Sequence, residues 1–272
     1  MFQRLFYLAL LVLVPLGCDK ATETHGRKLA ATNTYLECAA MDLLGSGVQI
    51  LRLAEPGTCP SSIDIRPSQA SELQRCQILL RFDFQKSLDA RLQRNTNTMR
   101  IVEASVPGGM CEPASYLAVC RQLADAFVSL GWLERGAADI RIKQIDERLK
   151  GKTSWARKTI AEAKLAGRPV IASGHQKAFC EWLGLTVVAA FRPADNAGIG
   201  EIEHAINTGV YSNVKLLIAN QPEGRRVADA LADRLSAKVV VFANFPPVRN
   251  NQAVFDDMLT ANVEALVKAG AQ

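Results

Sequence analysis

One amphipathic stretch near the middle of the chain constrains the fold more than any other feature. Across residues 137–166, Ile142, Ile145, Leu149, Ala156, Ile160 and Ala163 recur at three- to four-residue spacing, with charged residues between them. Gly151 interrupts the run, and a lone glycine weakens a helix without forbidding it. At 1.5 Å per residue the stretch makes a rod of roughly 45 Å, about the full width of a small domain. The rest of the chain then has to be arranged around that rod. Residues 137–166 therefore predict a spine between two lobes; the competing reading is a surface helix of a single larger domain.

The flanks support the spine. Before it, strand-like runs at 29–32, 48–53, 77–82 and 99–103 alternate with helical patterns at 34–44, 67–75, 84–93 and 114–130. Asn33 and Thr34 are cap candidates, and Pro67 stands where its missing N–H costs nothing. After the spine, runs at 170–172, 185–191, 214–219 and 239–242 alternate with helices at 175–183, 199–207 and 223–235, and a terminal helix ends near Lys268. This alternation argues for an α/β fold: two Rossmann-like lobes, each with a parallel four-stranded sheet covered by helices on both faces. At 272 residues and 49% apolar, the chain has material for two such cores. The expected organisation is a signal at 1–18, a tether at 19–28, an N-terminal lobe at 29–136, the linking helix at 137–166 and a C-terminal lobe at 167–272.

Parallel sheets collect ligands beyond the carboxyl ends of their strands. Four loops fall there and carry unusual residues: 55–66, 104–113, 173–175 and 243–247. If the lobes face each other, these loops converge in one cleft.

The N-terminus indicates export. Arg4 precedes an apolar run over residues 5–17 that is too short to span a bilayer and has the layout of a secretory signal. Cys18 follows directly. The stretch resembles a bacterial lipoprotein signal, in which the cysteine is lipidated; Gly17 suits that pattern, while Leu16 and Pro15 depart from it. The polar residues 19–28 read as a tether to the membrane. The net charge of +5 is not concentrated on any segment, so nucleic acid is not suggested as a partner.

Seven cysteines are the main chemical resource, and export places them where disulfides can persist. Sequence does not choose among pairings of Cys38, Cys59, Cys76, Cys111, Cys120 and Cys180. Cys76, Cys120 and Cys180 fall in helices or at their ends and read as small buried hydrophobes. Cys38, beside Glu37 near a helix start, is a candidate for a lowered thiol pKa and for approach to the cleft. Cys59 and Cys111 lie in the turn-rich loops of the first lobe, and His175 at the matching end of the second. Two thiolates and an imidazole suit zinc, or Cu(I). Asn244, after the last strand, is a candidate oxygen ligand. The competing readings are a Cys59–Cys111 disulfide, a helix-start histidine without a ligand, and simple burial of both thiols. His204 reads as a surface residue.

These pieces resemble the substrate-binding proteins of zinc- and manganese-type ABC importers, over nearly all of the chain from Leu29 onward. Ile63-Asp64-Ile65-Arg66-Pro67-Ser68-Gln69, followed by Leu73 and Ile78-Leu79-Leu80, is similar to the segment after that family's first metal ligand. Ala172-Ser173-Gly174-His175, with Phe179 and Leu183-Gly184-Leu185, is similar to its third-ligand segment, and Val239-Val240-Val241-Phe242-Ala243-Asn244 to the strand leading to its fourth. The resemblance implies a non-enzymatic, extracytoplasmic protein that captures a transition-metal ion and delivers it to an ABC permease with its cytoplasmic ATPase.

The departures concern the ligands themselves. Ser61 and Gly108 stand where the family has its first two histidines, and only His175 matches a ligand position directly. Cys59 and Cys111 lie near the two lost positions. The expected set is therefore Cys59, Cys111, His175 and Asn244, a softer site that favours zinc, with Cu(I) and manganese behind it. The family's His-rich loop is absent. Two rival functions remain. One is a two-lobed transferase, for which Pro107-Gly108-Gly109 is a phosphate cradle lacking the full fingerprint. The other is a thiol redox protein using Cys59 and Cys111.

Overall fold

The computed structural model describes residues 26–58, 63–92 and 99–270. The signal stretch, Cys18, most of the tether and Cys59 lie outside the described residues.

The first lobe opens with β1 (Lys28–Ala31), α1 (Thr34–Leu44) and β2 (Gln49–Arg52), then α2 (Pro67–Leu73) and β3 (Ile78–Phe82). Asn33 caps α1 as expected, its side-chain oxygen accepting from the backbone N–H groups of Tyr35 and Leu36. A 3₁₀ segment, Asp83–Leu88, and the short α3 (Asp89–Leu92) replace the single helix expected over 84–93. Next come β4 (Arg100–Ala104) and α4 (Pro113–Ser129).

The spine is α5 (Arg135–Glu162), 28 residues without a break at Gly151. It ends four residues earlier than its periodicity suggested, where Lys164 enters the left-handed region at φ 55°. The second lobe runs β5 (Pro169–Ser173), α6 (Lys177–Trp182), β6 (Thr186–Phe191), α7 (Ile199–Tyr211), β7 (Leu216–Asn220), α8 (Arg226–Leu235) and β8 (Lys238–Phe242). The connection to α9 (Phe255–Gly270) is not the plain loop the sequence suggested. It holds a small antiparallel hairpin, β9 (Val248–Arg249) with β10 (Gln252–Ala253), turned by Asn250 and Asn251, both at positive φ. Asparagine tolerates that conformation better than most residues.

Both four-stranded sheets are wholly parallel, in the orders β2-β1-β3-β4 and β6-β5-β7-β8. Alternate residues divide each central strand between two cores. Leu29 and Ala31 of β1, with Ile78, Leu80 and Phe82 of β3, enter a large inner core, while Ala30 and Leu79 face an outer core with Leu73. In the second sheet Val170, Ala172, Leu216 and Ile218 enter that same inner core, and Ile171, Leu217 and Ala219 face α7 and α8.

The inner core is therefore shared between the lobes. All six periodic residues of the spine belong to it or pack against it. Phe255 of α9 stacks on Tyr116 of α4 with ring centroids 4.1 Å apart, and Tyr35 of α1 meets both edge-on. Arg148 of α5 reaches Asp42 of α1 through both terminal guanidinium nitrogens, at 2.9 and 2.6 Å, and Asp256 of α9 at 3.4 Å. Among the described residues no helix is long and apolar enough to cross a membrane.

Candidate metal centre

Loops at the carboxyl ends of β4 in the first sheet and of β5, β7 and β8 in the second come together. β5 ends on Ser173, and His175 and Gln176 follow it. Asn220 ends β7 and Glu223 follows it. Ala243 and Asn244 follow β8, and Cys111 comes from the loop after β4 in the other lobe. Asn262 of α9 closes the group from below.

The inner part is a buried cluster of neutral groups. Asn262 clasps the backbone of Ala243, accepting from its N–H and donating to its carbonyl, both at 2.9 Å. The Cys111 thiol donates to the Ala243 carbonyl at 3.0 Å and to Asn244 Oδ1 at 3.4 Å. Gln176 Nε2 donates to Asn244 Oδ1 at 2.5 Å and to Asn220 Oδ1 at 3.0 Å. Cys111, Gln176, Asn220, Asn244 and Asn262 are all buried. Each carboxamide finds a partner, so the cluster avoids the penalty for an unsatisfied buried polar group. Burial pushes the Cys111 thiol well above the ordinary range and keeps it protonated.

The outer part is charged and open. His175 Nδ1 contacts Glu223 Oε1, and Ser173 Oγ donates to Glu223 Oε2 at 2.6 Å. The His175 side chain is 66% exposed, whereas Glu223 is only 11% exposed. The bond to Glu223 raises the His175 pKa against an opposing effect of burial. Burial of Glu223 favours its neutral form, but the bonds from His175 and Ser173 overcome it and hold the carboxyl below its ordinary value.

Of the four expected ligands, the structure brings Cys111 and Asn244 together and engages them with each other. His175 stands on the rim of the same region, paired with Glu223, and Cys59 lies outside the described residues. Among the described residues no three His, Cys, Asp or Glu side chains are grouped to hold a metal ion. The expectation for Cys38 is corrected: it is buried, and its thiol pKa is raised by desolvation and then by Asp42. Glu37 beside it is taken by Arg52, in two bonds of 2.6 and 2.7 Å. Cys76, Cys120 and Cys180 are buried free thiols, as expected of small hydrophobes, and Cys38 and Cys111 are free as well. His204 is exposed.

The Pro107-Gly108-Gly109 turn is no phosphate cradle. The Gly109 N–H already donates to Glu112 Oε1 at 2.9 Å, and a Cβ there would meet Glu112 Oε1 at 2.6 Å and Ala178 Cβ at 3.2 Å. Gly109 lets the first lobe press its β4–α4 loop against Ala178 of α6 in the second, beside the buried Cys111. A cavity of about 750 Å³ lies elsewhere, lined by α1, β2 and the β9–β10 hairpin.

Glu223, Gln176, Asn220 and Asn262 escaped the sequence reading. A signal existed for Glu223: the β7–α8 loop also follows a strand's carboxyl end, and Glu223 is the acidic residue in it. The carboxamides give no comparable signal, because buried Asn and Gln look like surface residues in sequence.

Comparison with known proteins agrees with this architecture. The chain is similar in fold to a manganese-bound periplasmic metal-binding protein from Candidatus Liberibacter asiaticus, with a TM-score of 0.74 and 13% identity, covering 90% of this chain and 99% of that one. ZnuA gives a TM-score of 0.73 at 12% identity, covering 90% and 99%. A zinc-bound deletion mutant of ZnuA gives 0.73 at 13%, covering 91% and 99%. No curated protein sequence matches the chain significantly. The family model for ZnuA, zinc-uptake complex component A, periplasmic, matches residues 29–269. The chain belongs to this family of periplasmic zinc-uptake components.

Proposed function

We propose that this protein captures a zinc ion outside the cytoplasm and delivers it to an ABC permease powered by its ATPase, while a lipid on Cys18 holds it at the membrane. The observation that carries this reading is His175. It is an exposed imidazole at the carboxyl end of β5, in a chain of the zinc-uptake family, at the position where the sequence resembles the family's ligand segment. Cys59 is the proposed second ligand. Cys111 and Asn244 complete the proposed set when capture releases them from each other. The Cys111 thiol must lose its proton for this, so capture draws on the zinc–thiolate bond to offset the cost of ionising a buried group. A sulfur- and nitrogen-containing set favours zinc or Cu(I) over manganese, which prefers oxygen.

The test is zinc affinity of the purified, reduced protein by chelator competition, alongside His175→Ala, Cys59→Ser and Cys111→Ser. Stoichiometric zinc weakened at least tenfold in His175→Ala supports the reading. Zinc binding indifferent to all three substitutions overturns the site. A thiol redox function is disfavoured by the protonated, buried state of Cys111, since the thiolate is the attacking species.

A further inference from the structure

The net charge of +5 is scattered along the sequence, but folding gathers part of it at one end of the second lobe. The second sheet is wholly parallel, so the amino ends of its strands form a single edge, opposite the ends that lead to His175 and Asn244. Residues 163–168, 183–185, 212–215 and 236–238 enter the four strands at that edge, and residues 268–270 of α9 join them. These segments carry Lys164, Arg168, Lys215, Lys238 and Lys268, and no Asp or Glu.

Contacts bring the segments together. The Lys238 N–H donates to the Lys215 carbonyl at 3.0 Å. Lys238 and Lys268 line one groove between β8 and α9. Arg168 Nη1 donates to the carbonyl of Gly270, two residues beyond Lys268, at 3.2 Å. All four lysines are exposed. Apolar surface lies beside them. α7 ends on Val210 and Tyr211, which are 67% and 93% exposed. The Val214 N–H bonds back to the Gly209 carbonyl at 2.9 Å, so only a tight turn separates Tyr211 from Lys215.

The residue types select the partner. Arginine's planar fork suits the individual carboxylates of a protein partner, whereas lysine is a flexible point charge suited to a diffuse negative surface. Four of the five cations are lysines. Ammonium groups meeting anionic headgroups, with a tyrosine at headgroup level, is the composition of a membrane interface. Neither the cleft nor the shared core uses these residues.

We propose that the amino-end edge of the second sheet is a contact face for an anionic lipid surface. In that pose the opposite end, with His175, faces the solution from which the ion is taken on the capture reading above; the contact itself does not depend on that reading. Each cation close to such a surface adds roughly fivefold to partitioning, and salt weakens the attraction.

The test is lysine acylation footprinting by mass spectrometry on the metal-free full chain. Phosphatidylglycerol–phosphatidylcholine vesicles are compared with phosphatidylcholine alone. At about 0.1 M salt, acylation of Lys164, Lys215, Lys238 and Lys268 should slow several-fold on the anionic vesicles only. It should recover at about 1 M, where the Debye length falls to ~3 Å. Lys143 and Lys158 on the spine should not change. The combined variant Lys215→Glu, Lys238→Glu, Lys268→Glu should abolish the protection of Lys164. Arg141→Glu, Lys143→Glu, Arg157→Glu, which alters net charge equally on the spine, should leave it. No protection on anionic vesicles, protection shared equally by Lys143 and Lys158, or an equal effect of the two variants overturns the proposal. Protection by soluble polyglutamate with none on anionic vesicles also overturns it, and assigns the face to an acidic protein.

Discussion

Arg148 joins three helices and both lobes, and its removal gives a worked test of how the shared core is held. Its guanidinium makes a two-pronged pair with Asp42 of α1, at 2.9 and 2.6 Å, and lies 3.4 Å from Asp256 of α9. Asp42 also accepts from the buried Tyr116 hydroxyl at 2.7 Å. The Arg148 side chain is 36% exposed, Asp42 22% and Asp256 13%. A fully buried pair broken on one side costs about 3–5 kcal/mol, and an exposed one about 0–1. Partial solvent screening places Arg148→Met between these limits, at about 2 kcal/mol. For a chain of this size that lowers the melting temperature by roughly 4–8 °C.

The loss should depend on pH. Burial already raises the Asp256 pKa, and Arg148 opposes that rise. A carboxyl whose folded pKa is raised contributes stability below its unfolded value and loses it as pH rises through the folded one. Without Arg148 the folded pKa rises further, so the deficit of Arg148→Met should be larger at pH 7 than at pH 4. Urea unfolding followed by circular dichroism, with an Asp42→Asn, Arg148→Met double-mutant cycle, measures this. A single-mutant loss under about 0.5 kcal/mol with no coupling to Asp42 would refute the reasoning, because such values belong to a solvated surface pair.

Three further outcomes follow from the same structure. Metal-free and metal-loaded protein should give closely similar small-angle scattering profiles, since the stacked Tyr116–Phe255 pair and Arg148 tie the lobes together; a large decrease in radius of gyration on loading would contradict this. Gly109→Ala should destabilise the protein by about 1–2 kcal/mol through overpacking between Glu112 and Ala178, read as a lower urea midpoint; an unchanged midpoint would show that the loop yields. Burial pushes the Cys76 and Cys180 thiols up to about 11 and about 12 from the ordinary 9.0. Their neutral forms contribute stability fully below pH 9 and lose it as pH rises through the folded values, with a slope of about 1.4 kcal/mol per pH unit for each thiol. Cys76→Ala and Cys180→Ala should each flatten that alkaline decline, and an identical pH profile in both variants would count against the assignment.

The sequence alone determined whatever depends on local periodicity. Short apolar runs bounded by turn residues marked β1, β3, β5 and β7 as strands, the three- to four-residue spacing of α5 produced the spine, and Asn33 announced its cap. The order of those elements implied two parallel sheets and put Cys111, His175 and Asn244 at strand ends. Tertiary structure decided what those residues do there. Lobe contact buried Cys111 and left its thiol neutral, and Asn262, far along the chain on α9, locked the Asn244 loop. Folding placed Glu223 of the β7–α8 loop behind His175. Distance in sequence hides such pairings: Cys111 and Asn244 are 133 residues apart, and no local pattern records which side chain will satisfy another once both leave water. The shared inner core has the same origin, since an apolar face shows in sequence that it must be covered but not by which lobe.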